Sequence, residues 1–295
     1  MKFGRLPSAP EKLARRLWLR DYLTLPVIPP AKSYDITAPW GMLGNDTVGD
    51  CTCAAAGHAD MIAEIFGEKV TPAVTSDEVL AAYSAITGYS PDDPNSDQGA
   101  NMLDVLKYWQ KTGIAGQKCS AYVAFDPANK AHWEAATYLF GFVYIGVNLP
   151  DIVTKALPTI IDWTDTTDAP DQNNGHCIIG CAYADSEGVT IVTWGQTVRA
   201  TWAFLAKYCD EAYAVLLPAW AQGDPPGIDM TQLTADLAVV QGGAPLPAPT
   251  PAPIPPAPPA PPTPPAPKPT PDPSVIKTWI ADLEAFLKYL KGLLK

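Results

Sequence analysis

The sequence predicts an α+β fold: a helical lobe, an antiparallel β lobe, a proline-rich linker and a C-terminal amphipathic helix. Three observations carry that prediction. Helix-type apolar spacing dominates residues 11–112, whereas strand-type runs dominate residues 138–217. Seventeen prolines crowd residues 244–273. Residues 274–295 then return to helical periodicity. The expected boundaries are 1–33 for an N-terminal extension, 34–240 for the two-lobed body, 241–273 for the linker and 274–295 for the terminal helix. The chain has 295 residues and is 47% apolar, enough for one large body with its own core.

Taken in order, residues 11–23 read as a short helix. Residues 51–66 form a second helix. Gly49-Asp50 breaks and caps the chain there, and Ala54-Ala55-Ala56 propagates the helix. Residues 76–87 and 101–112 read as two more. Residues 138–149, 176–184, 188–195 and 212–217 read as strands. A cleft between a helical lobe and a β lobe is where a site is expected.

The proline-rich stretch consists mostly of Pro-Ala-Pro and Pro-Pro steps. Proline fixes φ and removes a donor, so the expectation is an extended polyproline II spacer. Its reach at full extension is roughly 90 Å. The terminal helix opens at Ser274, a plausible N-cap. Ile276, Leu283 and Leu290 share one heptad position; Trp279, Phe286 and Leu293 share another. So short a stripe must be buried on something. A partner protein or self-association through residues 274–295 is the favoured expectation. Lys277, Lys288, Lys291 and Lys295 leave a membrane surface as the lesser one.

The formal net charge of −11, with no Lys/Arg cluster in the body, argues against nucleic acid as a partner. The six cysteines, at 51, 53, 119, 177, 181 and 209, match no paired Cys-x-x-Cys zinc pattern. Residues 1–20 carry Lys2, Arg5, Lys12, Arg15, Arg16 and Arg20 without an uninterrupted apolar stretch. They do not read as a secretory leader. Reduced thiols in a cytoplasm, or in a virion or other complex, are therefore expected. The longest apolar run, Tyr138 to Val147, is too short to span a bilayer.

Two residues carry the chemistry. Cys51 stands at the first turn of a helix, where the dipole favours a thiolate. His176 stands in Asn173-Asn174-Gly175-His176-Cys177-Ile178-Ile179-Gly180, a turn feeding an apolar strand. An imidazole folded over the thiol would complete a nucleophile and its base. Their separation of 125 residues is close to the roughly 130–150 typical of papain-type Cys and His. The alternative for Cys51 is a plain core cysteine.

Several segments together resemble the papain family of cysteine peptidases. Asn45-Asp46-Thr47-Val48-Gly49-Asp50-Cys51 is similar to the lead-in to that family's nucleophile. Asp97-Gln98-Gly99-Ala100-Asn101-Met102-Leu103, with Tyr108 and Gly113, resembles its Gly-rich turn and following helix. Phe142-Val143-Tyr144-Ile145-Gly146-Val147 resembles the strand before the histidine strand. Gly175 to Gly180 and then Trp194-Gly195 resemble the histidine strand and its Trp-Gly element. The resemblance implies a papain-like two-lobed fold and a thiol hydrolase that cleaves an amide, with a peptide or protein as substrate and no cofactor. It implies Cys51 as nucleophile, His176 as base and Asn45 as oxyanion donor. Asn45 stands where the family has glutamine and is one methylene shorter. The family's histidine-orienting asparagine falls on Val192, which cannot accept a hydrogen bond. Thr193 can substitute only if strand register or a bulge turns it inward. Asp185 and Asp171 are the other candidates. Trp194 would shield the histidine from water or serve as a core aromatic. Residues 1–33 are too short to be that family's inhibitory pro-domain.

Other residues read more plainly. Cys53 belongs to the core, and His58 and His132 are packed or surface histidines. A zinc site from Cys51, Cys53, His58 and His176 is disfavoured by the geometry of Cys-x-Cys on a helix. Asn45-Asp46-Thr47 is a glycosylation sequon by pattern. Two functional expectations stand. The first is a papain-like thiol hydrolase, a description that also covers a transamidase or cell-wall amidase. The second is a weak or inactive papain-fold binding or structural protein, tethered to an assembly such as a phage particle by its terminal helix.

Overall fold

The computed structural model describes residues 1–23, 28–33, 38–68, 71, 73–218, 220, 229, 231, 232 and 235. The chain divides into two units, Met1–Thr250 and Pro251–Lys295. The expected linker and terminal helix lie outside the described residues.

The first unit begins with β1 (Arg5–Leu6), α1 (Pro10–Leu13) and β2 (Ala31–Ser33). Helices α2 (Cys51–Ala63) and α3 (Ser76–Thr87) follow, then β3 (Ala100–Asn101) and α4 (Met102–Lys111). The second half holds β4 (Ala121–Ala124), α5 (Lys130–Phe140), β5 (Val143–Asn148) and α6 (Asp151–Ala156). It ends with β6 (Gly175–Ala184), β7 (Gly188–Thr193), β8 (Gln196–Ala200), α7 (Trp202–Tyr208) and β9 (Cys209–Leu216).

The main sheet is antiparallel, in the order β4-β9-β5-β6-β7-β8. β2 pairs with the far end of β6, beyond the reach of β5. Side chains alternate across this sheet. Val143, Ile145, Ile178 and Ile191 enter one core with Trp133, Phe140 and Phe204 of α5 and α7. Tyr144, Cys177, Ile179 and Val192 enter the other, with α2, α3 and α4. Covered on both faces, the central strands carry almost unbroken apolar runs.

Helix α2 is buried along its whole length. It therefore lacks the polar face of a surface helix, and its run of alanines lets neighbours approach closely. A Cβ on Gly57 would stand 2.9 Å from side-chain atoms of Leu43 and Val79. The Tyr144 hydroxyl donates to the Thr52 carbonyl at 2.8 Å, tying the sheet to the first turn of α2.

Three expectations about elements are corrected. The stretch 11–23 is only α1 and a separate 3-10 turn, Leu19–Asp21. The helix from 51 ends at Ala63 and passes into a π turn, Glu64–Glu68. The strand expected over 138–149 starts at Val143, because Tyr138 to Phe140 close α5 and Gly141 caps it at φ +84°. Both pieces are buried and apolar, which erases the periodicity that would separate them. No helix among the described residues is long and apolar enough to cross a membrane.

Candidate active site

Cys51 is the first residue of α2. The backbone N–H groups of a helix's first turn have no partner within the helix, so they point outward as donors. Asp50 occupies the N-cap position, but its side chain makes no cap bond. Its carbonyl instead accepts from Cys53 N at 2.8 Å and Ala54 N at 3.0 Å. The carboxyl is buried, and burial pushes its pKa up to about 8; the Asn45 amide pulls it down while Asp97 and Asp46 push it further up.

His176 is the second residue of β6. Its Nε2 lies 2.9 Å from Thr193 Oγ1. Sheet register explains why Thr193, and not Val192, reaches it. Val192 pairs with Ile179, so it faces the α2 side with Cys177 and Ile179. One step along, Thr193 turns to the opposite face, which His176 and Ile178 share. Asp185 and Asp171 are engaged elsewhere: Asp185 pairs with Lys130, and Asp171 accepts from Asn173 N at 2.9 Å.

Beyond Thr193 the chain reverses in two residues. Trp194 has φ +45° and Gly195 φ +73°, and Thr193 pairs with Gln196 across the turn. Positive φ at both central residues is the geometry of a tight primed hairpin turn. Glycine takes it freely; tryptophan does so at a cost. The strained backbone coincides with a ring contact. The Trp194 indole stacks on the His176 imidazole at 4.3 Å between centroids and 17° between planes. Phe3 meets the imidazole edge-on at 5.9 Å.

Cys51, His176, Asn45, Thr193 and Trp194 line one cavity, together with Met42, Ala54 and His58. The structure thus brings all five sequence-predicted site residues together. His176 Nδ1 is buried and has no hydrogen-bond partner among the described residues. Asn45 Nδ2 donates to the Val48 carbonyl at 3.0 Å. His58 Nε2 faces the carbonyls of Trp40 at 3.1 Å and Gly41 at 3.2 Å. Among the described residues no group of three or more His, Cys, Asp or Glu side chains is placed to hold a metal ion.

The electrostatics run against the charged pair expected from the helix terminus. Cys51 and His176 are each 1% exposed. Burial pushes the Cys51 thiol up to about 12, against smaller opposing effects of hydrogen bonds from the Cys177 and Gly4 backbone. Burial also pushes the His176 imidazole down to about 3, and Arg5 and His58 add to that. Desolvation outweighs the helix dipole, whose contribution is at most about 2 kcal/mol. The resting pair is a neutral thiol and a neutral imidazole.

Comparison with solved structures fits this arrangement. Xylellain, a cysteine protease from Xylella fastidiosa, matches with a TM-score of 0.57 and 14% identity, over 72% of this chain and 95% of that chain. The fold is papain-like. Two further matches have lower TM-scores. The cysteine protease and lectin-like domains of Cwp84, a surface layer associated protein of Clostridium difficile, give 0.48 at 11% identity, over 67% of this chain and 54% of that one. Digestive procathepsin L 3 of Tenebrio molitor larval midgut gives 0.47 at 11% identity, over 70% and 78%. No family model and no curated protein sequence matches. The papain-like fold accounts for the order of the elements: the thiol helix in the helical lobe, and the histidine strand with its Trp-Gly hairpin in the sheet.

Sequence reasoning missed the residues that close the cavity from outside. Phe3, Gly4 and Arg5 pack against the site, yet they stand 171–173 positions from His176. The one local hint was a glycine next to an arginine in an otherwise ordinary basic segment.

Proposed function

We propose that this chain is a papain-like thiol hydrolase that cleaves an amide bond, a peptide bond in the first instance. One observation carries the reading. His176 Nε2 is bonded to Thr193 while its Nδ1 has no partner among the described residues, and the ring lines the same cavity as Cys51. A base needs one nitrogen held and the other free to take a proton. In the reaction Cys51 Sγ attacks the substrate carbonyl carbon, and its proton passes to His176 Nδ1. The C–N bond breaks, and the departing amine takes that proton. Water then attacks the thioester, giving its proton to Nδ1; the carboxylic acid leaves and the thiol is restored. The negative oxygen formed in each half would meet the Cys51 backbone N–H. Asn45 would be the second donor, by giving up to the oxyanion an N–H that its amide now directs at Val48 or Asp50.

A second reading has its own support. The neutral, almost unexposed pair suits a papain-fold binding or structural protein. In either case residues 274–295 would join the body to a partner protein or to a second copy, within a cytoplasmic complex or a virion. Deleting them and measuring particle mass tests this; an unchanged mass removes self-association.

Iodoacetamide labelling with adduct mapping separates the two readings. The hydrolase reading expects Cys51 in the wild-type chain to react at least about tenfold faster than Cys51 in His176→Ala, because an acting base takes the thiol proton as the new sulfur–carbon bond forms. Equal rates in the two proteins would sink it. Digestion of a peptide library, lost in Cys51→Ser, then defines the bond cleaved.

A further inference from the structure

Helix α2 carries a histidine on the same face as its thiol. His58 follows Cys51 by seven residues, two turns along, so the two share one side of the helix. Both line the candidate cavity, yet no step of the hydrolysis uses His58. Its Nε2 stands 3.1 Å from the Trp40 carbonyl and 3.2 Å from the Gly41 carbonyl. A carbonyl only accepts, so Nε2 carries the proton and shares it between the two. Burial keeps the imidazole neutral, pushing its pKa down to about 4 against the opposing effect of those bonds. The Trp40 indole meets the same ring edge-on at 5.8 Å.

These two carbonyls open the loop that delivers Asn45. Along it Gly41, Leu43 and Gly44 take φ of +60°, +52° and +103°. Leu43 has a side chain and holds its angle at a cost. Strained backbone of this kind persists only where its surroundings over-determine it. At its far end the loop closes on itself: Asn45 N donates to the Met42 carbonyl at 3.0 Å, and Val48 N to that of Gly44 at 3.0 Å. At its near end α2 holds it. His58 takes the two carbonyls, and Gly57 beside it makes room for Leu43, whose Cδ1 would lie 2.9 Å from a Cβ there.

The Gly41 carbonyl also faces the other half of the site. A Cβ on Gly195 would lie 3.1 Å from its oxygen. Gly195 completes the hairpin of Trp194, whose indole stacks on His176. One carbonyl thus meets both the His58 donor and the turn that covers the base.

We propose that His58 is a positioning residue for the oxyanion donor: its Nε2–H fixes the Trp40 and Gly41 carbonyls, and with them the loop that carries Asn45. This deepens the thiol-hydrolase reading and rests on it for the role of Asn45. His58 moves no proton; it acts through Asn45. The advantage is a shared frame. Cys51 and His58 stand on one buried helix, so the thiol and the second oxyanion donor keep a fixed separation, which a strained loop alone would not hold. A misplacement of about 1 Å at a reacting centre costs on the order of 10²-fold in rate.

The test uses the full-length chain. It compares His58→Leu, which fills the space without a donor, with His58→Gln, whose side-chain N–H reaches about as far as Nε2. Each is also made in an Asn45→Ala background. His58→Leu should lower kcat for peptide cleavage at least about tenfold and leave KM within about twofold. His58→Gln should restore most of that loss. In the Asn45→Ala background His58→Leu should cost no more than about a further twofold, because the donor it positions is already gone. Iodoacetamide alkylation of Cys51 builds no oxyanion, so its rate relative to Cys119 should not change in His58→Leu. A loss undiminished in the Asn45→Ala background, or one that His58→Gln does not restore, would overturn the proposal. A matching fall in Cys51 alkylation would overturn it too, since the thiol itself would then be displaced. If His58→Leu raises Cys119 labelling, its fold is lost, and His58→Asn, too short to reach the carbonyls, replaces it under the same criteria. A parent chain that cleaves no peptide refutes the hydrolase, and the side-chain amide signals of Asn45 in NMR then decide the positioning. Signals shifted in His58→Leu and restored in His58→Gln support it; signals that do not move overturn it.

Discussion

His176 Nε2 and Thr193 Oγ1 lie 2.9 Å apart, and this bond joins a strand start to the end of the neighbouring strand. It occupies one ring nitrogen with a hydroxyl where the resemblance placed the valine of Val192. Thr193→Val keeps the shape and removes the bond. A lost hydrogen bond of about 1–1.5 kcal/mol corresponds to roughly tenfold in rate. Peptide cleavage and His176-dependent labelling should therefore fall about tenfold or more in Thr193→Val and stay near the parent level in Thr193→Ser. Equal rates in the two variants would show that the hydroxyl does not position the imidazole.

The neutral resting pair has a pH signature. With the Cys51 thiol up to about 12 and the His176 imidazole down to about 3, neither group titrates between pH 5 and 9. The thiolate fraction then grows about tenfold per pH unit over that range. Labelling of Cys51 should climb with a slope near one and show no plateau. A plateau beginning below pH 7 would mean a preformed ion pair and would contradict the buried geometry.

Asp50 should weaken the fold as pH rises. Its carboxyl holds a proton up to about pH 8 in the folded chain, against about 3.9 for an unfolded aspartate. Between these values the folded state binds more protons, so stability is full below about pH 4 and declines towards pH 8. Asp50→Asn removes that decline, by on the order of a few kcal/mol at pH 8. Urea unfolding at pH 5 and pH 8 measures it. Parallel pH dependence in the variant and the parent would exclude Asp50 as the source.

Trp194 combines an unfavourable backbone angle with a stacked ring. Trp194→Gly relieves φ +45° and uncovers His176. Stability should change by no more than about 1 kcal/mol, because relief and lost stacking oppose each other. The His176 titration should move up from about 3 towards the ordinary value near 6.5 as water reaches the ring. Histidine proton shifts in NMR follow it. A titration that does not move would show that Trp194 contributes nothing to shielding.

Local chemistry was legible wherever it was complete within a few residues. Helix α3 is flanked by Thr75, which makes a capping box with Glu78, and by Gly88 at φ +80°, so both its ends are written in the sequence. The start of α2 at Cys51 and the start of β6 beside His176 were equally legible. Tyr138 to Val147 was not, because a buried helix end and a buried strand carry the same apolar run.

The sequence by itself determined the parts: a thiol at a helix start, an imidazole at a strand start, an amide near the thiol and an indole before a glycine. Only the tertiary structure decided how they meet. Register sent Val192 into one core and Thr193 towards His176, since a strand alternates faces and pairing alone sets which face is which. Folding also drew Phe3 and Gly4 over the site and made burial, rather than the helix terminus, the dominant influence on Cys51. Desolvation depends on what covers a group, and here part of the cover comes from the first residues of the chain.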